Sequence, residues 1–197
     1  GETLEIRDGV VTSIPEGVDL TFTNESRVDM EHYDALYYMG HLLSPHYIVV
    51  DIESSINVTI AHHLTLEQSL IPYRIIVNIA ENCQVQVYAT FHTENTQASL
   101  LLYGLDVHLN RDSTLTWLRN QSAKDDEAVV IGSHHYDIDE QAKLTLQTFD
   151  FGSGTAMHLY NNDLAAHTET SVSHLLFGSG KAHRGNVVIL RHNGVSA

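Results

Sequence analysis

Fourteen histidines in 197 residues are the side chains of this sequence best able to bind a metal or move a proton. They fall as two adjacent pairs, His62-His63 and His134-His135, and as a spaced series, His158, His167, His174, His183 and His192. Neighbours on a strand point to opposite faces, so an adjacent pair cannot chelate as a local unit. No His-x-His occurs, which removes the spacing that would place two ligands on one strand face, and with it the metal signature of a cupin. Across repeats a metal reading survives. His158 and His183 lie 25 residues apart, as do His167 and His192, and residues one repeat apart stack and can share an ion. The metal candidates are therefore His158, His167, His174, His183 and His192. The plainer reading makes them outward polar residues or hydrogen-bonded corners.

Cys83 is the single cysteine. As a thiol it could accept sulfur or ligate iron, but no basic neighbour stands beside it to lower its pKa. Its place at a small, apolar position of a repeat favours packing in the core. No nucleophile motif is present: there is no Gly-x-Ser-x-Gly, no phosphate-binding glycine loop with lysine and no His-Glu-x-x-His. Gly152-Ser153-Gly154 and Gly178-Ser179-Gly180 read as equivalent turns of successive repeats. Asp125-Asp126 and Asp137/Asp139 are carboxylate pairs of the kind a polysaccharide-cleaving enzyme uses, and equally the solvated surface of an acidic protein.

The elements that position these residues are written as a ladder. An apolar residue is followed four, six and eight positions on by small or apolar ones: Ile14, Val18, Leu20, Phe22; Ile52, Ile56, Val58, Ile60; Ile79, Cys83, Val85, Val87; Leu109, Ser113, Leu115, Trp117; Ile138, Ala142, Leu144, Leu146. Weaker rungs start at Leu164 and Leu190, and from Ile52 onward the starts are 26 to 30 residues apart. Residues two apart share a strand face, so Val85/Val87 and Leu144/Leu146 are inward pairs. Between the first residue and that pair stand turn formers such as Ala80-Glu81-Asn82, Asn110-Arg111-Asp112 and Asp139-Glu140-Gln141. A repeat of this length fits one coil of a stacked solenoid, whose apolar face is completed only by its neighbours. The expected fold is all-β, a right-handed parallel β-helix of about six to seven coils. An antiparallel sandwich competes, yet Asp8-Gly9 and Asn193-Gly194 are the only strong hairpin signals. Glu31–Leu43 is the one serious helix candidate, and Asn120–Glu127 reads as a loop between coils.

One domain, 1–197, is expected, less regular over 1–47. The last rung begins at Leu190 without its strand, so the C-terminal end reads as incomplete, and the start at Gly1 rather than Met reads as processed. A solenoid end exposes strand edges, to be covered by further chain or by another subunit. The net charge of −15 argues against binding nucleic acid or an anionic membrane surface. No apolar run approaches a membrane span, no signal-peptide pattern opens the chain, and one cysteine fits a reducing cytoplasm.

The segment His167–Leu190, HTETSVSHLLFGSGKAHRGNVVIL, resembles the SufB/SufD family of iron–sulfur cluster assembly proteins. The matching residues are Ser171, His174, Gly178, Gly180, Lys181, Ala182, Arg184, Gly185, Val187 and Ile189. Tyr73–Phe91 and His134–Gly154 are similar to the family's coil segments. The resemblance implies a cytoplasmic, non-catalytic scaffold subunit, pairing through its β-helix ends with a SufB/SufD paralogue. It also implies a SufC-type ATPase as partner, and an iron–sulfur cluster or iron in the assembled complex. The family's cluster-site cysteine and its helical ATPase-binding region have no counterpart to carry over here. The alternatives are a carbohydrate-active or carbohydrate-binding β-helix and a self-associating structural solenoid. Ten Lys and Arg in all make the carbohydrate case thin.

Overall fold

The computed structural model describes residues 3–25, 34–65, 70–93, 99–123 and 128–194. Its strands stack as a β-solenoid of about 5 turns. The turns pair β4 (Tyr47–Ile52) with β5 (Ile56–Leu64), β6 (Leu70–Ile79) with β7 (Gln84–Thr93), and β8 (Ser99–Leu109) with β9 (Thr114–Ala123). They continue as β10 (Ala128–Ile138) with β11 (Lys143–Gly152) and β12 (Thr155–Leu164) with β13 (Glu169–Gly178), and β14 (His183–His192) lies beyond. Sheet I runs β13-β11-β9-β7-β5 and sheet II runs β14-β12-β10-β8-β6-β4, every neighbour parallel. That parallel pairing rules out the sandwich.

The turn count is lower than the ladder suggests because its first rung is not a coil. β1 (Thr3–Arg7) lies parallel on β5 and turns back through Asp8-Gly9 into β2 (Val10–Ser13), an antiparallel hairpin with positive φ at both turn residues. β3 (Asp19–Thr23) pairs antiparallel with β4. Ile14 and Phe22, the two ends of that rung, are exposed. Asn193-Gly194, the other hairpin signal, follows β14 and makes no hairpin among the described residues.

Tight corners join sheet II to sheet I, and they repeat as the ladder predicts. Ala80–Cys83, Asn110–Ser113, Asp139–Ala142 and Ala165–Thr168 each place the third residue in the left-handed region: Asn82 at φ 61°, Asp112 at 58°, Gln141 at 61° and His167 at 60°. The corners stack through Asn82 N donating to Arg111 O, Asp112 N to Glu140 O and Gln141 N to Ala166 O. The small fourth residue turns inward, so Cys83, Ser113 and Ala142 are buried. Cys83 thus lies buried in the apolar cluster at this corner. Ile56 is not its equivalent, because it pairs with Val85: three residues separate Ile52 from Ile56, against five between their partners Ile79 and Val85.

The interior beside these corners is aliphatic. Ile52, Ile79, Leu109, Ile138 and Leu164 form one column on sheet II, and Ile56, Val85, Leu115 and Leu144 form one on sheet I, all in or packed against the same apolar cluster. Burial of such side chains contributes on the order of 2 kcal/mol each. Asn120–Ala123, expected as loop, instead extends β9, and residues 124–127 lie outside the described residues. The helix α1 (Ala35–Leu43) forms where the helix candidate was placed, with 31–33 outside the described residues.

Candidate functional site

Towards the other side of the solenoid the inward positions become polar. On sheet I the inward face passes from Leu115 and Trp117 to Arg119 and Gln121, and from Leu144 and Leu146 to Thr148 and Asp150. On sheet II the facing positions hold His134, His158 and Tyr160. These side chains make one buried network. Arg119, 1 % exposed, donates through Nη2 to Asp150 Oδ2 at 2.6 Å and through Nη1 to Gln121 Oε1 at 2.9 Å and to His158 Nε2 at 2.7 Å.

A guanidinium is always a donor, and Arg119 Nη1 is nearer to His158 Nε2, at 2.7 Å, than to Nδ1, at 3.2 Å, so Nε2 is assigned as the acceptor. His158 accepts at Nε2 and carries its proton on Nδ1, which donates to His134 Nε2 at 2.9 Å. His134 then carries its proton on Nδ1. Burial, followed by the Arg119 charge, pushes both imidazoles well below the usual histidine range, so both are neutral. His134 stacks on Tyr160 with centroids 4.3 Å apart, and Tyr160 leans on His174 at 4.7 Å. Burial lifts the Tyr160 hydroxyl to about 12. His174 Nδ1 meets Thr148 Oγ1 at 2.5 Å.

One residue makes room for this network. A Cβ on Gly132 would stand 2.1 Å from His158 Nδ1 and 2.7 Å from His134 Nε2. In the turns before it the same column holds Tyr73 and Tyr103. There the file continues with His62, stacked on Phe91 at 4.0 Å and bonded through Nδ1 to the Tyr73 hydroxyl at 2.7 Å. Burial drives the His62 pKa down to about 3.

A second charged row lies on the outer face of sheet II. Arg74 holds Asp106 in a bidentate pair at 2.7 and 2.5 Å. A Cβ on Gly104 would stand 2.3 Å from Arg74 Nη1, so only glycine lets the arginine cross the strand to reach Asp106. His135 Nε2 stands 3.1 Å from Asp163 Oδ2, and Arg191 Nε donates to Asp163 Oδ1 at 2.7 Å. Burial works against the Asp163 charge, but the His135 and Arg191 hydrogen bonds hold its carboxyl well below the usual range. His134 and His135 thus face opposite sides of the sheet, as adjacent residues on a strand must.

The five histidines proposed as metal ligands do not come together. His158 and His174 are inward residues of the polar file, whereas His167, His183 and His192 are exposed. The expected stacking fails because β12 and β14 pair at an offset of 28 residues, three more than the 25 that the pairs assume. His158 pairs with Asn186, and His183 with Thr155. His192 pairs with Leu164 rather than His167, so Leu190 does not start a rung either. The cause is the turn from sheet I to sheet II. Gly152 and Gly178 are register partners, as expected, but β12 starts at Thr155 while β14 starts only at His183. No group of three or more His, Cys, Asp or Glu among the described residues is placed to hold a metal ion.

Arg119, Asp150 and Gln121 were missed as site residues. Their signal was available: Leu115, Trp117, Arg119 and Gln121 occupy alternate positions, so the inward face of β9 turns from apolar to polar along one strand. No described helix is long and apolar enough to cross a membrane.

A search of curated proteins returns no match. The family model for the SUF system FeS cluster assembly SufBD core domain matches residues 59–197. That span runs from within β5 to beyond β14, and so takes in the strands of the buried Arg119 network and nearly all of the parallel stack. A solenoid matched over that length belongs to the SufBD core family, and its role lies in iron–sulfur cluster assembly.

Proposed function

We propose that this chain is a non-catalytic scaffold subunit of an iron–sulfur assembly complex in the cytoplasm, working with a SufC-type ATPase and a SufB/SufD paralogue. The observation that carries the reading is the coincidence of the family match with the stacked coils: the matched part is a parallel double sheet. Inside it, Arg119 ties Asp150, Gln121 and His158 together across the two sheets, which suits a frame. On this reading the cluster is cargo, assembled where the chain meets its partner. Exposed Leu175, Phe177, Val187 and Ile189 on β13 and β14 give apolar contact area for such pairing.

Co-expression of the full-length protein with the SufC-type ATPase and SufB/SufD paralogue of its own source tests this. The expected result is a stable complex that takes up iron and sulfide on anaerobic reconstitution, with ATP hydrolysis altering the yield. Elution of the chain apart from both partners overturns it.

A further inference from the structure

The helix α1 is held on sheet II in an unusual way for a packed helix. Its buried face consists of Tyr37, Gly40 and His41, while Leu42 is 84 % exposed and Leu43 also faces solvent. The helix lies across β6, β8 and β10, directly over the Arg74–Asp106 pair. The Arg74 guanidinium sits 4.7 Å from the Tyr37 ring centre, and a Cβ on Gly40 would come within 3.2 Å of Arg74 Nη1. Tyr37 is the one large side chain that α1 buries fully, and nine residues are too few for a helix to persist alone. Specific polar contacts hold it. Asp34 caps the helix by accepting from Leu36 N at 2.8 Å and Tyr37 N at 3.0 Å, and its other oxygen accepts from Asn161 Nδ2 at 3.0 Å.

His41 is the centre of the contact. Its Nδ1 is 3.0 Å from the Tyr47 hydroxyl on β4, and its Nε2 is 3.5 Å from Asp106 Oδ2 on β8. Arg74 on β6 and His135 on β10 are the other charged or titratable groups around it, with Tyr37 one turn back on α1. Asp106 is already the bidentate partner of Arg74; its charge favours a protonated His41, but burial and the Arg74 charge outweigh it.

We propose that α1 is a proton-sensitive latch, closed over the Arg74–Asp106 pair while His41 is neutral and released when His41 takes up a proton in mildly acidic solution. Burial, then the Arg74 charge, lowers the His41 pKa from 6.5 to about 4 in the closed state. Released, His41 titrates near 6.5, so closure weakens as pH falls through 6.5 and the loss is complete near 4. The full difference is roughly 300-fold in the closing equilibrium, approaching ten-fold per pH unit. Opening exposes Arg74, Asp106, His135 and Asn161 as a charged row on an otherwise intact sheet.

Hydrogen exchange of the full-length protein, followed by mass spectrometry at pH 6.5 and 5.0 and corrected for intrinsic rates, tests this. The α1 peptide is expected to lose protection by roughly 15-fold, with the β8 and β10 peptides still protected. His41→Gln, which keeps a partner for Tyr47 without titrating, should abolish the pH dependence. Asn161→Ala, which frees Asp34, should lower α1 protection at both pH values and keep the slope. Constant α1 protection in the wild type, an unchanged slope in His41→Gln, or loss of α1 and strand protection together would each overturn the latch.

Discussion

Arg119 is the residue on which the interior depends. It is a permanent cation removed from water; among the described residues only Asp150 neutralises it, while His158, held neutral, gives it a lone pair. Asp150→Ala leaves that cation unpaired, and we expect a loss of about 3–5 kcal/mol of stability. Urea unfolding followed by the fluorescence of Trp117, 1 % exposed in the same strand, measures it. The double variant Arg119→Met with Asp150→Leu should recover most of the loss, because no buried charge remains. Residue types at alternating positions made Arg119 and Asp150 readable as inward, yet nothing in the sequence pairs them, since they meet only when β9 and β11 stack. The histidine series failed for the converse reason: its spacing was read as register, and register depends on the length of each turn.

At the level of elements the corners carry the repeat. Four of them force a residue that is not glycine into the left-handed region, a position that Asn and Asp tolerate better than others. Gln141 has neither the short polar side chain nor the missing Cβ that eases this conformation, and it is exposed. Gln141→Gly is expected to raise stability by about 0.5–1 kcal/mol, read as an increase in Tm, while Asp112→Gly changes it little. These corners were legible because turn-forming residues and a small fourth residue recur at a fixed place. The opposite turns were legible only in part: Gly-Ser-Gly marks the last two, but these differ in length, two residues at Ser153–Gly154 against four at 179–182.

The whole molecule stores several neutral imidazoles. His62, His134 and His158 all sit inside the solenoid with pKa values driven below the ordinary 6.5, chiefly by burial. The unfolded chain takes up these protons first, so the stability is fully present above about pH 6.5 and falls as the pH drops below it. Each histidine adds up to roughly 1.4 kcal/mol of loss per pH unit until its own folded pKa is reached. Chemical denaturation between pH 7.5 and 5 should show a midpoint that is flat down to about 6.5 and then declines steeply. A midpoint independent of pH over that range would mean that these imidazoles are hydrated in the folded state.

The sequence by itself determined the class of fold, the corners and the family, because a strand's face alternates every two residues and each coil must repeat the pattern that its neighbours cover. It marked the small corner position of Cys83, and it showed through the motifs around His174 and Arg184 what the chain resembles. Only the tertiary structure decided which histidines face inward together, that Arg119 ties Asp150 to His158, and that α1 closes over Arg74. Those contacts join residues 31 to 39 positions apart, or lie between a helix and strands from several coils. Their geometry depends on strand register, which turn lengths set and local composition does not.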